Sequence, residues 1–427
     1  MTSEANTARR KPAHAPQRHF TARDGTLLIG GEPVTALAEQ ADGLPFYAYD
    51  GDVMRARVAT LRAQLPAGVE LHYAMKANPM PAVVDHMAAL TDGLDVASAR
   101  ELATALATGR APLDISFAGP GKSEEDLRAA VKAGVIIIIE SPTELERVAA
   151  LAPGAPQPPR VAVRINPDFE LKASGMKMGG GPRPFGIDAE QVPEVLDRIG
   201  TLPVDFMGLH IFAGSQNLRA EALIEAHDGT IDLALRLAAA APGPVRWLNI
   251  GGGLGVPYFP GEQPLDLEPV MANLRERLGE LRAALPAATV VMELGRYLVA
   301  EAGVYVARVT DRKVSRGQVF LVTNGGLHHH LALSGNFGQV IRKNYPVCIG
   351  NRMDEAAAET VSIVGPLCTP MDILADRMEL PAADVGDLVV VFQSGAYGFS
   401  ASPHGFLSHP APRELFLDGA AAAEPAA

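Results

Sequence analysis

From about residue 70 onward, short apolar runs and longer amphipathic stretches alternate along the chain. Strand-length runs rich in β-branched residues stand at 70–76, 94–97, 114–118, 134–139, 160–166, 205–212, 246–250 and 289–293. Between them lie Ala-, Leu- and Arg-rich segments with helical spacing, at 80–90, 99–109, 123–132, 142–151, 188–199, 218–240 and 267–285. A further one, at 52–64, precedes the first strand. Strands that alternate with helices imply parallel pairing, and eight such units are the number that closes a (β/α)8 barrel. A doubly wound open sheet is the alternative, but it rarely uses eight evenly spaced units.

The pattern changes after about residue 299. β-like runs then follow one another at Gly303–Thr310, Val319–Thr323, Thr360–Val364, Asp387–Val391 and Glu414–Leu417, with few helical signals. This reads as a mostly β second domain. The early run Thr26–Val34, with Gly30-Gly31 at a hairpin turn, has the same character and is expected to join that sheet. The predicted organisation is a disordered arm at 1–18, strand at 19–44 joining the β domain, a barrel at 45–298, the β domain at 299–418 and a loose tail at 419–427.

A chain of 427 residues with 48% hydrophobic and 20% charged residues has room for two packed domains. The net charge of −12, with no basic run beyond Arg9-Arg10-Lys11, argues against a nucleic-acid partner. The two cysteines, Cys348 and Cys368, have neither metal-ligand nor redox spacing. The longest apolar run, Val135–Ile139, is strand length, so no membrane span is expected and the protein reads as soluble and cytoplasmic.

Barrels gather their chemistry at the C-terminal ends of the strands, and the distinctive residues fall there. Lys76 ends the first predicted strand, Asp95 and Ser98 flank the second, Glu140 ends the fourth, and Arg164 with Asn166 ends the fifth. His210 and Phe212 end the sixth and lead into Gly214-Ser215-Gln216; Gly251-Gly252-Gly253 follows the seventh; Glu293-Leu294-Gly295-Arg296 closes the eighth. A lysine at the end of a buried strand is desolvated, which lowers its pKa and favours the neutral amine that a Schiff base needs. Three successive glycines let backbone amides approach an anion, and barrels often hold phosphate on the loops after strands seven and eight. Glu293, at the end of a fully buried strand, needs a partner. Arg296 could be one; the nitrogen of a protonated pyridine ring could be another. An amine, a phosphate cradle and a carboxylate for a ring nitrogen together point to pyridoxal 5′-phosphate.

On those residues the chain resembles the group IV, ornithine/diaminopimelate type of pyridoxal-phosphate-dependent decarboxylase, with a barrel of alanine-racemase type. The likeness rests on Tyr73–Asn78, Gly214–Gln216, Gly251–Gly255, Glu293–Arg296, Val364–Cys368 and Gly395–Phe399. It implies that Lys76 is the Schiff-base lysine and that Glu293 pairs with the ring nitrogen. It further implies that Ser215, Gly251, Gly252, Gly253, Gly295, Arg296 and Tyr397 hold the phosphate, with Asp95, Arg164, His210 and Phe212 around the cofactor. By the same resemblance Cys368 reaches in from a partner subunit and supplies a proton after carbon dioxide leaves, so a homodimer is implied. His328, His329, Thr369 and Asp372 fall where substrate would be bound.

Three departures concern the substrate. Thr369 follows Cys368 where diamino-acid enzymes of this type carry an acid, and a hydroxyl cannot neutralise a buried ammonium. Asn324-Gly325-Gly326 leads into Leu327–Leu331 and Gly335–Gln339 without the Arg-Pro-x-x-Tyr pattern of diaminopimelate enzymes. Phe212 stands where a histidine usually stacks on the ring. The expected substrate is therefore a modified, conjugated or acyl-carrier-bound amino acid of secondary metabolism, with Arg342-Lys343 facing an acidic carrier. Diaminopimelate, ornithine or lysine decarboxylation is the alternative, a racemase is a lesser one, and a non-catalytic pyridoxal-phosphate carrier is the alternative of another class. His328–His330 could suggest a metal, but consecutive strand residues alternate faces, and no metal site is expected. Gly179–Gly181 is expected in a mobile loop over the site.

Overall fold

The computed structural model describes residues 15, 17–169, 176–177, 179–334 and 343–419. The predicted arm and tail, Gly335–Gln339 and Arg342 therefore lie wholly or almost wholly outside the described residues.

All eight predicted barrel strands form: Val69–Ala74, Gly93–Val96, Ile115–Phe117, Ile136–Ile139, Arg160–Asn166, Asp205–Ile211, Trp247–Asn249 and Thr289–Leu294. Each pairs in parallel with the next, and the last pairs back onto the first through Leu294 and Tyr73. Parallel strands are buried on both faces, which is why Ile136–Ile139 is four isoleucines in a row. One face packs against the helices. The other fills the barrel with Ile136, Ile138, Ala162, Met207, Trp247 and Val291.

Strand periodicity carries that inner face upward. Two residues beyond Ile138, Ala162, Trp247 and Val291 come Glu140, Arg164, Asn249 and Glu293. An apolar plug thus gives way to a polar layer at the C-terminal mouth. The sixth strand needs a correction to join it, because Met207 and His210 are an odd number apart. A bulge between Phe206 and Gly208 supplies it. A Cβ on Gly208 would stand 1.8 Å from the Trp247 carbonyl, so only glycine fits.

The second domain is mostly β, as expected. Gly303–Ser315 is its spine: its first half pairs with Leu388–Val391, its second half with Gln318–Thr323. The strand that joins this sheet from the front of the chain is Phe46–Asp50, not the stretch at 19–44. Phe46–Asp50 lies between Gly303–Val306 and Arg413–Leu417. The 19–44 stretch forms a separate three-stranded sheet (Ala22–Arg23, Thr26–Ile29, Glu32–Pro33) and a short helix, Val34–Gln40. Leu27 and Ile29 pack on Phe46, Val304, Val306 and Val390 of the β domain.

Candidate active site

Glu293 is the hub of the polar layer. Its Oε2 accepts from Asn249 Nδ2 at 3.2 Å and lies 3.3 Å from His210 Nε2; its Oε1 lies 3.7 Å from Lys76 Nζ. Burial pushes this carboxyl up, but Lys76, His210 and Arg164 more than offset it and hold the group well below the usual carboxylate range. Asp95 goes the other way, raised by burial and by the charge of Glu293, while Ser116 Oγ donates to it at 3.0 Å.

Lys76 sits on a single 3-10 turn, Met75–Ala77, directly after the first barrel strand. The expectation of a depressed pKa is not met. Burial lowers it, but Glu293 and Asp95 raise it further, so the amine is held above its ordinary value. The carboxylates that complete the site are also what keep the lysine charged. The side chain retains 42% of its surface, so water screens part of that attraction.

Beside Lys76 the loops form a cradle. Lys76, Phe212, Ser215, Gly253, Glu293, Gly295, Arg296 and Tyr397 line one pocket. Gly251 and Gly253 have φ of 69° and 81°. A Cβ on Gly252 would lie 2.5 Å from the Glu293 carbonyl, and one on Gly251 would lie 2.7 Å from the Phe212 ring. The amides of Gly253, Gly295 and Arg296 meet no protein acceptor among the described residues. Arg296 is flanked by phenols in place of carboxylates: Nη1 donates to Tyr258 at 3.1 Å, and the guanidinium lies 4.7 Å from the Tyr397 ring centroid. Tyr397 has φ of 56°, a costly conformation for a non-glycine residue. Its amide donates to Ala77 O at 2.8 Å, next to Lys76. Unclaimed amides, an arginine with no carboxylate partner among the described residues and glycines packed too closely for a Cβ fit a phosphate group.

The opposite wall is built from ion pairs. Arg164 Nη1 meets Glu140 Oε1 at 2.8 Å, and that carboxylate also accepts from the amides of Gly119 and Gly186. Arg164 is thus committed to Glu140, and its charge acts on the cofactor pocket from a distance. Lys122, which the sequence reading missed, donates to Gly119 O, Ile138 O and Glu144. Its pKa is lowered by burial against the pull of Glu144 and Glu140. Asn166 bonds Gly180, Gly181 and Asp188, so it anchors the glycine loop beside the mouth. Ser98 is a helix cap, accepting from Glu101 N.

The β-domain expectations fare differently. Cys368 is exposed and Thr369 half-buried, and neither lines the pocket around Lys76 in its own chain. Asp372 is buried with both oxygens taken by the amides of Leu327 (2.7 Å) and Leu367 (2.8 Å). It clamps the Cys368 loop to the Gly325-Gly326 turn and offers nothing to a substrate. His328–His330 occupy a turn, not a strand, and all three are buried. His329 is 3.2 Å from the Tyr305 hydroxyl and 2.9 Å from Pro410 O; His330 is 3.0 Å from Ser394 Oγ. Burial lowers their pKa values to about 4, 3 and 3 in sequence order, leaving neutral packing groups. A substrate role for His328 and His329 therefore lacks an open face in this chain. No metal-binding cluster occurs among the described residues.

Residues 52–300 match the family described as pyridoxal-dependent decarboxylase, pyridoxal binding domain. Over 388 residues, 90% of each chain, the sequence is 40% identical to the L-glutamyl-[BtrI acyl-carrier protein] decarboxylase of Niallia circulans. It is 31% identical to the 2-[(L-alanin-3-ylcarbamoyl)methyl]-2-hydroxybutanedioate decarboxylase of Staphylococcus aureus, over 90% of this chain and 96% of that one. The diaminopimelate decarboxylase of Helicobacter pylori, in its structure with L-lysine, superposes with a TM-score of 0.78 at 26% identity, covering 90% of this chain and 94% of that one. The chain is therefore a member of the pyridoxal-phosphate-dependent decarboxylases of the ornithine/diaminopimelate type.

Proposed function

We propose that this enzyme removes the α-carboxylate of a modified, conjugated or carrier-bound amino acid, in sites shared between the two subunits of a homodimer. The observation that carries the substrate reading is Thr369, whose hydroxyl stands where a diamino-acid enzyme needs a countercharge. The relatives named above, acting on a carrier-bound glutamyl group and on an alanine conjugate, support it. Lys76 would supply the amine for the cofactor's aldehyde, and Glu293 would face its ring nitrogen. Ser215, the glycines, Arg296 and Tyr397 would hold its phosphate. Pyridoxal phosphate supplies the electron sink that stores the pair left when the carbon–carboxylate bond breaks. The exposure of Cys368 fits a thiol offered to a neighbouring subunit, where it delivers the proton that replaces the carboxylate.

Carbon dioxide release from a panel of free, conjugated and carrier-bound amino acids tests this reading. Turnover is expected on a masked or tethered substrate. Efficient turnover of free diaminopimelate, ornithine or lysine would overturn it. Mixing inactive Lys76→Ala with inactive Cys368→Ala subunits should restore partial activity; none, in proven heterodimers, would refute the shared site.

A further inference from the structure

Asn249 stands at the end of the seventh barrel strand and is 1% exposed. Its side-chain amide has two partners. Oδ1 accepts from the Gly251 amide at 2.8 Å, and Nδ2 donates to Glu293 Oε2 at 3.2 Å. The orientation is settled by the backbone, because Gly251 N–H can only donate, so the NH2 group must face the carboxylate. The Glu293 amide also donates to Gly251 O at 2.9 Å. Glycine turn and carboxylate are therefore tied once through the backbone and once through this side chain.

We propose that Asn249 is a positioning residue that locks the Glu293 carboxylate to the phosphate turn. Asn249 and His210 both approach Oε2, which leaves Oε1 aimed at Lys76 and the pocket. The distance between the ring-nitrogen partner and the phosphate cradle is thereby fixed before a cofactor arrives. Backbone pairing alone would hold the strands in register but leave the glutamate free to rotate about its side-chain bonds. A buried donor also favours the charged carboxylate, in the same direction as the pull of Lys76, His210 and Arg164.

Asn249→Asp isolates the link. It preserves the acceptor for Gly251, removes the donor to Glu293 and sets a second carboxylate against it. The purified enzyme should bind pyridoxal phosphate at least about tenfold more weakly, a change of ~1.4 kcal/mol. The pH midpoint of its visible absorbance should also move from the wild-type value, because an added carboxylate changes the charge around the ring. Adding Asn249→Asp to Glu293→Gln should weaken binding no further, since the new amide can donate to the new carboxylate and re-form the bridge with reversed polarity. Wild-type affinity and pH profile in Asn249→Asp would overturn the proposal. So would an equal loss in both backgrounds, which would mean that Asn249 acts on the fold and not through Glu293. Should Asn249→Asp fail to fold, Asn249→Ser carries the same comparison, with weaker binding expected and unchanged binding contradicting it.

Discussion

Two walls of the barrel mouth each carry a lysine–glutamate pair, and they differ in what the lysine is free to do. On the wall made by the first and eighth strands, Lys76 faces Glu293 at 3.7 Å with 42% of its side chain open. On the wall made by the third and fourth, Lys122 faces Glu144 at 3.0 Å with 1% open, and it also donates to two backbone carbonyls. Burial depresses the pKa of Lys122, while Glu293 and Asp95 raise that of Lys76. A criterion based on a low pKa alone would select Lys122. Lys122 is easier to deprotonate but encloses its nitrogen among acceptors. Lys76 is charged but faces a pocket beside a phosphate cradle. Access, more than basicity, separates a reactive lysine from a structural one.

Substitution breaks the comparison most sharply. Lys76→Ala should lower decarboxylation by several orders of magnitude and abolish the covalently held cofactor, while thermal unfolding stays close to wild type. Lys122→Ala should instead cost about 3–5 kcal/mol of stability, because it leaves Glu144 buried and unpaired; urea unfolding measures it. A smaller loss is expected for Gly252→Ala. The added methyl meets the Glu293 carbonyl and Leu294, so a destabilisation of about 1–3 kcal/mol is expected. Weaker cofactor binding should accompany it, seen by equilibrium dialysis.

Asp372→Ala extends the comparison to the β domain. Two amides lose their acceptor, so the expected cost is about 1–3 kcal/mol each, with cofactor affinity unchanged because Asp372 does not touch the pocket. Acid should weaken both regions. His328–His330 have folded pKa values near 4, 3 and 3, below the unfolded value of 6.5. The unfolded chain then binds more protons, so their contribution is complete above about pH 6.5 and erodes as pH falls towards 4. Glu293 and Glu140 have depressed carboxylate pKa values, so theirs persists to lower pH and is lost below the usual carboxylate range. His210 and His227 of the barrel are lowered by burial in the same sense, so urea unfolding should show stability falling from pH 6.5 towards 4; stability that does not fall across that window would contradict this. The smallest effect is Thr369→Asp, expected to give a modest, selective gain on free ornithine and lysine in a decarboxylation assay.

Legibility followed periodicity. The eight strands announced themselves because each is a short apolar run between helical stretches, and Glu140, Arg164 and Glu293 because each follows such a run. Asn249 carried the same signal, two residues past Trp247, but was overshadowed by the glycines after it. Lys122 had no signal: it lies in a loop, and its burial depends on Glu144 arriving from a later helix. The histidines misled because three in a row look chemical, while their burial comes from Tyr305, Ser394 and Pro410, none of them near in sequence. Phe46–Asp50 was misplaced because its partners, Gly303–Val306 and Arg413–Leu417, lie more than two hundred residues away.

If Lys76 holds the cofactor, accessibility to the cradle and not a depressed pKa selects it. Borohydride reduction of the enzyme loaded with pyridoxal phosphate, followed by peptide mass mapping, tests it directly. One stable adduct is expected, on Lys76, with Lys122 unmodified. An adduct on Lys122, or on any lysine other than Lys76, would contradict it.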